Sequence, residues 1–211
     1  MRCIKGTDRL NFKNAKKKLR TRLSEKRFTH TLGVVIEAKK LARFYGGDIE
    51  KSAMAALLHD CAKNLSASEI LKKAAAYDII LDKTMKANPF LAHGIVGAEV
   101  AKREYGVSDP DILSAIACHT TGKPGMSRLD KIIFLADCIE PYREEYPGLA
   151  EIRAVAYSGI DKAMVTALGI CIEYVKRTGH ELHPLGAETL SYFENLLLVT
   201  DEKYGEEHTI E

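Results

Sequence analysis

A histidine and an aspartate stand side by side where an apolar stretch ends, in the segment Leu57-Leu58-His59-Asp60-Cys61-Ala62-Lys63. A polar pair in a core is costly unless it has partners, and the simplest partner here is a metal ion. The imidazole offers a nitrogen, and the carboxylate offers one or two oxygens that can bridge two ions. If this segment is helical, Lys63 shares a face with His59 and Asp60, and a cation there suits a phosphate substrate. A His-Asp dipeptide alone, however, is more often structural than functional.

Three more histidines and another aspartate lie at or near the ends of apolar helical stripes. Any one of them alone is more often a core residue than a metal ligand, but the whole set is hard to explain by chance. Four imidazoles and two carboxylates suit one or two divalent ions such as iron, manganese or cobalt, whereas no cysteine pair is spaced for a zinc site. The candidate ligands are His30, His59-Asp60, His93, His119 and Asp137.

The composition is that of an ordinary globular protein. The chain has 211 residues, 46% of them hydrophobic and 28% charged, with a formal net charge of +2. This length suits one substantial domain, and the near-balanced charge does not predict a polyanion-binding surface. Scattered cysteines without a CxxC motif predict buried thiols in a reducing compartment. The first residues lack the apolar core of a signal peptide. We therefore expect a cytoplasmic protein without a membrane or nucleic-acid partner, and the sequence leaves a homodimer open.

The spacing of the apolar residues predicts an all-α fold, because alternating β-branched runs are scarce while Ala, Leu, Lys and Glu recur at helical spacing. We expect one helical core over residues 13–200, an unassigned segment over 1–12, and an acidic tail over 201–211 that frays. Caps and breakers predict helices over 13–23, Ser24 to Gly46, Asp48 to about Asp60, Ser68 to Tyr77, from Asn88-Pro89 onward, Asp109-Pro110 to His119, Ser127 to Asp137, 150–178 with a break near Gly159, and 188–199.

The order His30, His59-Asp60, Asp137 resembles that of the HD superfamily of metal-dependent phosphohydrolases. A closer resemblance, over roughly residues 20–195, is to the YqeK family of symmetrical bis(5′-nucleosyl)-tetraphosphatases. A departure is Cys138, where we expect an aromatic residue after the aspartate. The stretches that carry the resemblance are Arg27-Phe28-Thr29-His30, Ala55-Ala56-Leu57-Leu58-His59-Asp60-Cys61-Ala62-Lys63, His93-Gly94-Ile95-Val96-Gly97-Ala98, His119-Thr120-Thr121-Gly122, Ala136-Asp137-Cys138-Ile139-Glu140-Pro141 with Arg143, and His183-Pro184.

The resemblance implies an HD-domain helical bundle with a metal centre, in which iron is the first candidate and manganese or cobalt are alternatives. The residues that it implies for one ion are His30, His59, Asp60 and Asp137. His93 and His119 would either complete a second ion, with Asp60 as the bridge, or contact phosphate oxygens, and the sequence leaves both open.

The resemblance also suggests residue roles around the substrate. Asp60 and Lys63 are the expected catalytic residues. Arg128 and Arg153 are alternatives to Arg143 as a phosphate-binding cation. The expected substrate contacts are His93, His119, Thr120, Arg143, Lys63, Arg27 and His183.

The implied activity is metal-dependent hydrolysis of diadenosine tetraphosphate, or of another dinucleoside tetraphosphate, symmetrically to two ADP. The expected partner is a dinucleoside polyphosphate or an ADP- or GDP-like nucleotide, and the sequence does not decide between adenine and guanine. One alternative is a nucleotidase or dNTP phosphohydrolase of the same superfamily. Another is a non-catalytic nucleotide-binding module, which the complete ligand set argues against.

Overall fold

The computed structural model describes residues 11–179 and 181–207 and, within these ranges, the side chains as far as residue 199. Over these residues the chain forms helices joined by turns and no strand, which confirms the all-α prediction. A single 3₁₀ helix, η1 (Pro89–Ala92), stands among the described helices. The α-helices are α1 (Phe12–Arg20), α2 (Glu25–Tyr45), α3 (Ile49–Leu58), α4 (Ala67–Ala76), α5 (Lys83–Ala87), α6 (His93–Tyr105), α7 (Pro110–Cys118), α8 (Arg128–Ile139), α9 (Leu149–Val155), α10 (Ile160–Arg177) and α11 (Pro184–Glu207).

Side-chain caps begin several helices where the sequence predicted them. Ser24 caps α2, and Asp109 caps α7 by accepting two backbone N–H groups. Ser127 and Asp130 form a reciprocal capping box at the start of α8. A cap of this kind stabilises a helix by about 1 kcal/mol. Because candidate ligands lie on α2 and α8 and directly after α7, these local signals also help to fix the positions of the ligands.

Helix α3 ends just before His59, so the prediction that Lys63 shares a helical face with the His-Asp pair was wrong in its geometry. Residues 59–64 form successive turns. In these turns the amides of Cys61 and Lys63 bond to carbonyls three residues back, at 3.0 and 2.9 Å. This tighter winding is of the 3₁₀ type. It nevertheless leaves Lys63 on the wall of the same cavity as Asp60.

Two other helix starts differ from the prediction. Helix α4 begins after Ser66 rather than at Ser68, because Ser66 and Glu69 form a capping box. The Asn88-Pro89 signal starts η1, and α6 begins at His93 itself rather than one turn before it. The short helix α5 was not predicted, since five residues give too little periodicity to recognise.

The two ends of the chain are only partly described. Residues 1–10 of the unassigned segment lie outside the described residues, and α1 ends at Arg20. Helix α11 is longer than the predicted 188–199 and continues to Glu207, while 208–211 lie outside the described residues. The fraying of the tail therefore stays a prediction. Among the described residues, no helix is both long and apolar enough to cross a membrane.

The helices that carry the candidate ligands pack directly against one another. Helix α2 lies along α3 and α8, and α7 packs against α3, α6 and α8. Fully buried aliphatic side chains such as Leu41, Leu57, Ile116 and Ile132 fill the space between them. Each such side chain contributes about 1.5–3 kcal/mol when it leaves water. This packing fixes the helices that carry the candidate ligands. The buried-thiol prediction is confirmed for Cys61, Cys118 and Cys138, which are buried and free.

Glu104, near the end of α6, joins this helix to α4 and to the chain after α1. Its carboxylate accepts hydrogen bonds from Arg22 Nη1 at 2.6 Å, Lys73 Nζ at 2.7 Å and Tyr77 Oη at 3.1 Å. Burial alone would raise the pKa of Glu104, but the bonds from Lys73 and Arg22 outweigh burial and lower the pKa to about 2. The ionised carboxylate therefore stabilises the fold above its ordinary pKa of 4.5, and this contribution is lost as the pH falls toward 2.

We expect Glu104→Gln to lower the free energy of unfolding at pH 7 by about 1–2 kcal/mol, a value reduced from the full pKa linkage because the group is partly exposed. The difference from the wild-type protein should shrink as the pH falls from about 4.5 to 2. Chemical denaturation at several pH values measures it. Glu99→Gln, which removes a surface pair with Arg103 on the same helix, should cost less than about 0.5 kcal/mol. A pH-independent cost at position 104 would contradict the assignment.

Candidate metal centre

Four imidazoles and two carboxylates from five parts of the chain meet in one buried cluster. The contributing elements are α2, the turn after α3, the first residue of α6, the residue after α7, and α8. All of these side chains are buried except Asp137, which is half-buried. The structure thus brings together the six predicted ligand residues, His30, His59, Asp60, His93, His119 and Asp137.

Four donor atoms form the first half of the cluster. His30 Nε2 lies 3.0 Å from Asp137 Oδ1, and His59 Nε2 lies 3.3 Å from Asp60 Oδ2. The crossing distances, His30 Nε2 to Asp60 Oδ2 and His59 Nε2 to Asp137 Oδ1, are 3.8 and 3.9 Å. Ligand atoms about 2.1 Å from one ion are roughly 3–3.5 Å apart. The two shorter distances lie in this range, and the two crossing distances are longer. The ligand atoms of His30, His59 and Asp60 lie within 4.8 Å of one another, as do those of His59, His119 and Asp137.

The other oxygen of Asp60 belongs to the second half of the cluster. Asp60 Oδ1 lies 3.3 Å from His93 Nε2 and 3.6 Å from His119 Nε2. The two Nε2 atoms are 3.1 Å apart. Each oxygen of Asp60 therefore faces a different set of imidazoles, which is the arrangement of a carboxylate that bridges two positions.

The opposite nitrogen of every ring is already engaged, which fixes the orientation of the imidazoles. Nδ1 of His59, His93 and His119 each lies 2.7 Å from the carbonyl oxygen three residues earlier. Nδ1 of His30 lies 3.0 Å from Glu140 Oε1. A ring that donates its Nδ1–H in this way presents a lone pair at Nε2. All four lone pairs are thus directed into the cluster.

Two of these Nε2 atoms lack a hydrogen bond. Nε2 of His30 and Nε2 of His59 are buried without a hydrogen-bond partner of acceptable geometry, although carboxylate oxygens lie nearby. A buried polar atom left unpaired costs about 1–3 kcal/mol. An ion between them would satisfy both nitrogens. The donor set of this cluster therefore fits a divalent metal ion.

The cluster also sets the charges of its own members. Burial would raise the pKa of Asp60, but His59, His119 and His93 outweigh it and hold this pKa well below its usual range. The pKa of Asp137 is likewise lowered against burial, by His30 and Arg143. Burial lowers the pKa of His93 to about 4. At neutral pH the cluster therefore offers ionised carboxylates and a neutral His93, the forms that bind metal ions.

Cationic and hydroxyl side chains surround the cluster. Arg27 Nη1 donates to Asp60 Oδ2 at 2.9 Å, and Arg143 Nη2 donates to Asp137 Oδ1 at 2.9 Å. Lys63 Nζ lies 3.3 Å from His93 Nε2, and the Thr120 hydroxyl lies 3.2 Å from the same nitrogen. These four predicted substrate-binding residues stand where they could bind phosphate oxygens at the cluster.

His183 is placed elsewhere. Its Nε2 lies 2.7 Å from Asp82 Oδ2 at the start of α5, and its Nδ1 accepts the Leu185 amide at 3.2 Å. These contacts join the start of α11 to α5, and His183 does not line the cavity beside the cluster. Its role in nucleotide binding stays a prediction.

Of the two alternatives to Arg143, Arg153 bonds to backbone carbonyls near the end of α8, and Arg128 bonds to the carbonyl of Gly46.

A cavity of about 640 Å³ opens from the cluster and continues between α8, α10 and the loop after α8. Its far wall is mostly apolar and suits a nucleoside better than a phosphate chain. The sequence did not predict these residues as wall residues, because two of them lie in a loop and the others occupy ordinary amphipathic helix positions. They are Phe134, Tyr146, Pro147, Ile170, Cys171, Tyr174 and Val175.

The partner of His30 was also missed. Glu140, the residue after α8, is 1% exposed and divides its oxygens between His30 Nδ1 and the backbone N–H of Tyr142, at 3.0 and 2.6 Å. It fits against α2 only because Gly33 has no side chain, since a Cβ there would lie 2.0 Å from Glu140 Oε2. The sequence signal was a third carboxylate, three residues after Asp137, in an otherwise apolar run.

Comparisons with known proteins show the family of this chain. The HD domain family matches residues 27–142. The chain is 38% identical over 180 residues to a symmetrical bis(5′-nucleosyl)-tetraphosphatase of Halalkalibacterium halodurans, covering 83% of this chain and 91% of that protein. Identity to the protein of the same name from Bacillus subtilis is 37% over 166 residues, 79% of this chain and 88% of that one. The crystal structure of a predicted HD superfamily hydrolase involved in NAD metabolism from Clostridium acetobutylicum matches with a TM-score of 0.84 and 38% identity, covering 88% and 97% of the two chains.

Proposed function

Since this chain belongs to the HD domain family and is similar to symmetrical bis(5′-nucleosyl)-tetraphosphatases over most of its length, we propose that it hydrolyses dinucleoside tetraphosphates, with diadenosine tetraphosphate giving two ADP. The observation that carries the proposal is the two-sided cluster around Asp60, whose two oxygens face separate sets of Nε2 lone pairs. A cavity of nucleotide size opens directly from this cluster.

The residues proposed to hold the first ion are His30, His59, Asp60 and Asp137. Their nitrogen and oxygen donors suit iron, manganese or cobalt, and iron is our first choice. When bound, such an ion lowers the pKa of a water molecule and polarises a phosphoryl group. Glu140 would act through His30, because a carboxylate on the opposite ring nitrogen orients a ligating imidazole and raises its basicity.

The contacts of His93 favour a second ion over direct phosphate binding. An ammonium group has donors only, so the pairing of Lys63 Nζ with His93 Nε2 requires this nitrogen to be an acceptor. Its opposite nitrogen faces the carbonyl of Phe90. A neutral ring with its lone pair at Nε2 cannot donate to a phosphate oxygen, but it can bind a metal ion in place of the Lys63 contact. We propose that His93, His119 and Asp60 Oδ1 form a second metal position.

The phosphate chain would be held by the cations around the cluster. Arg27 and Arg143 each use some of their donors on a ligand carboxylate, and a guanidinium has five N–H groups. The remaining donors of each can bind phosphate oxygens. Lys63 and Thr120 lie beside the second half of the cluster, each near His93 Nε2. Fixed donors of this kind stabilise the charge on the phosphoryl group under attack more than that of the bound substrate.

Symmetrical cleavage follows if one nucleoside diphosphate half occupies the 640 Å³ cavity and puts its second phosphorus at the cluster. The apolar wall from α10 would hold the nucleoside, and Arg143 with Thr120 would hold its phosphates. The leaving group is the other nucleoside diphosphate, a stable anion that needs little help from a proton donor. The enzyme would thus choose the bond by distance from the nucleoside.

Product analysis tests the proposed function. Metal-loaded protein and diadenosine tetraphosphate should give ADP as the only nucleotide, measured by anion-exchange chromatography at early times. ADP should also inhibit the reaction, because it presents the same two phosphates to the same groups. Equal amounts of ATP and AMP would mean asymmetric cleavage. Rapid hydrolysis of dNTPs or nucleoside monophosphates without turnover of the dinucleotide would favour the alternative phosphohydrolase activities, and a metal-free protein that binds nucleotide without turnover would favour the binding module.

A further inference from the structure

A second cavity, of about 330 Å³, adjoins the metal cluster at His30. It shares Arg27, Arg143 and Glu144 with the 640 Å³ cavity, so these residues stand between the two spaces. Its outer part is formed by Lys26 and Tyr142. A volume near 300 Å³ is at the lower end of the range for small-molecule sites. The roles proposed above leave this cavity without a ligand.

We propose that the second cavity binds the leaving nucleoside diphosphate half of the substrate, with its base stacked on the ring of Tyr142. This inference rests on the proposed function and extends it to the part of the substrate beyond the bond that is cleaved. Cleavage in the middle of a tetraphosphate produces two equal halves. If one half fills the larger cavity, the other must leave the cluster in another direction, and the smaller cavity is lined by His30 of the same cluster.

The charges of this cavity suit a diphosphate. Lys26, Arg27 and Arg143 contribute three cations, against the carboxylates of Glu140 and Glu144. Both oxygens of Glu140 are already engaged, by a ring nitrogen and by a backbone N–H. Glu144 pairs with Lys26 at 2.7 Å on the exposed rim. No carboxylate among the described lining residues therefore points unpaired at the space between the two arginines, and several of their N–H groups remain available.

Tyr142 has the features of a stacking platform. The residue is 58% exposed, although it follows the buried Glu140 closely in the chain. Its backbone N–H is held by Glu140 Oε2 at 2.6 Å. The ring packs beside Gly33 of α2, since a Cβ built at Gly33 would be 3.0 Å from Tyr142 Cδ2. Tyr142 is thus held against α2 while much of the residue is open to solvent, so that a flat base could stack on its ring.

The test compares two substrates and two tyrosines. Diadenosine tetraphosphate has two bases, whereas adenosine 5′-tetraphosphate has one, which should occupy the larger cavity. We expect Tyr142→Ala to lower the ratio of kcat/KM for the dinucleotide over kcat/KM for the mononucleotide about tenfold. A tenfold loss corresponds to about 1.4 kcal/mol, within the range of a base stacked on an aromatic side chain. Tyr142→Phe should keep the wild-type ratio, because the ring is retained.

The matched variant is Tyr174→Ala, which removes an exposed ring from the larger cavity and should lower both rates without changing their ratio. An unchanged ratio for Tyr142→Ala, whether both substrates lose equally or neither loses, would overturn the inference. Calorimetry with a non-hydrolysable dinucleoside tetraphosphate gives a second readout that does not need turnover, and Tyr142→Ala should weaken this binding about tenfold. If the wild-type protein fails to make ADP, the proposed function is wrong, while the calorimetric comparison still decides whether the second cavity binds a nucleoside.

Discussion

Asp60→Asn is expected to reduce turnover of diadenosine tetraphosphate by about a thousandfold or more, on the scale of the several kcal/mol that a Lewis acid contributes. The change keeps the size of the side chain but removes its charge. It also replaces one of the two oxygens with an amide group, which donates hydrogen bonds and does not bind metal ions. Because the oxygens face His59 on one side and His93 with His119 on the other, this substitution damages both halves of the cluster.

The measurement that separates this effect from unfolding is elemental analysis of the purified variant, together with its thermal unfolding. We expect the metal content to fall with the activity while the melting temperature of the metal-free proteins stays similar. Asp111→Asn is the matched control, because this carboxylate is paired with Lys51 on the surface at the start of α7; it should keep both metal and activity. Full metal occupancy in Asp60→Asn would defeat the proposed ligand assignment.

The parts of the fold that the sequence predicted are those fixed by local chemistry. Ser24, Asp109 and Ser127 each cap a helix with their own side chain, within three residues of themselves. Such signals do not depend on the rest of the chain. The start of α4 was predicted two residues too late, because Ser66 and Ser68 are both capping residue types; Ser66 is distinguished by the capping box that it forms with Glu69.

The composition of the cluster was predictable from residue type, but its internal geometry was not. Histidines and aspartates at the ends of apolar stripes are few enough to enumerate. The contact between His30 and Glu140, however, joins residues 110 positions apart. It depends on how closely α2 approaches the end of α8, which in turn requires a glycine at position 33. A sequence pattern carries no measure of such an approach.

The cavity walls illustrate the same limit. Ile170 and Tyr174 are spaced as core positions of any amphipathic helix, and α10 does bury most of that stripe. Whether a given side chain faces a neighbouring helix or an open space is set by the separation of α8 and α10 and by the loop between α8 and α9. Tyr142 and Tyr174 therefore gain their proposed roles only from the structure.

Lys63→Ala is expected to lower kcat/KM by about 10²- to 10³-fold, the usual effect of removing one preorganised donor from a charged transition state. Lys63 is not a metal ligand. Its Nζ lies 3.3 Å from His93 Nε2, on the wall of the cavity that Asp60 also lines. The metal content should therefore stay at the wild-type level, in contrast to Asp60→Asn. The loss should fall on kcat more than on KM, because the cation stabilises charge that develops on the phosphoryl group during the reaction.

Steady-state kinetics and elemental analysis on the same preparation test this prediction. Lys63→Arg keeps a cation but changes its shape and reach, so it should recover part of the lost rate without changing the metal content. Lys102→Ala removes an exposed lysine of α6 that lies 3.8 Å from Glu99, and it should leave both measurements at the wild-type level. If Lys63→Ala retains the wild-type kcat/KM, Lys63 is an ordinary solvated charge, and the stabilisation of the phosphoryl group must come from the other groups proposed above, such as Arg27 and Arg143.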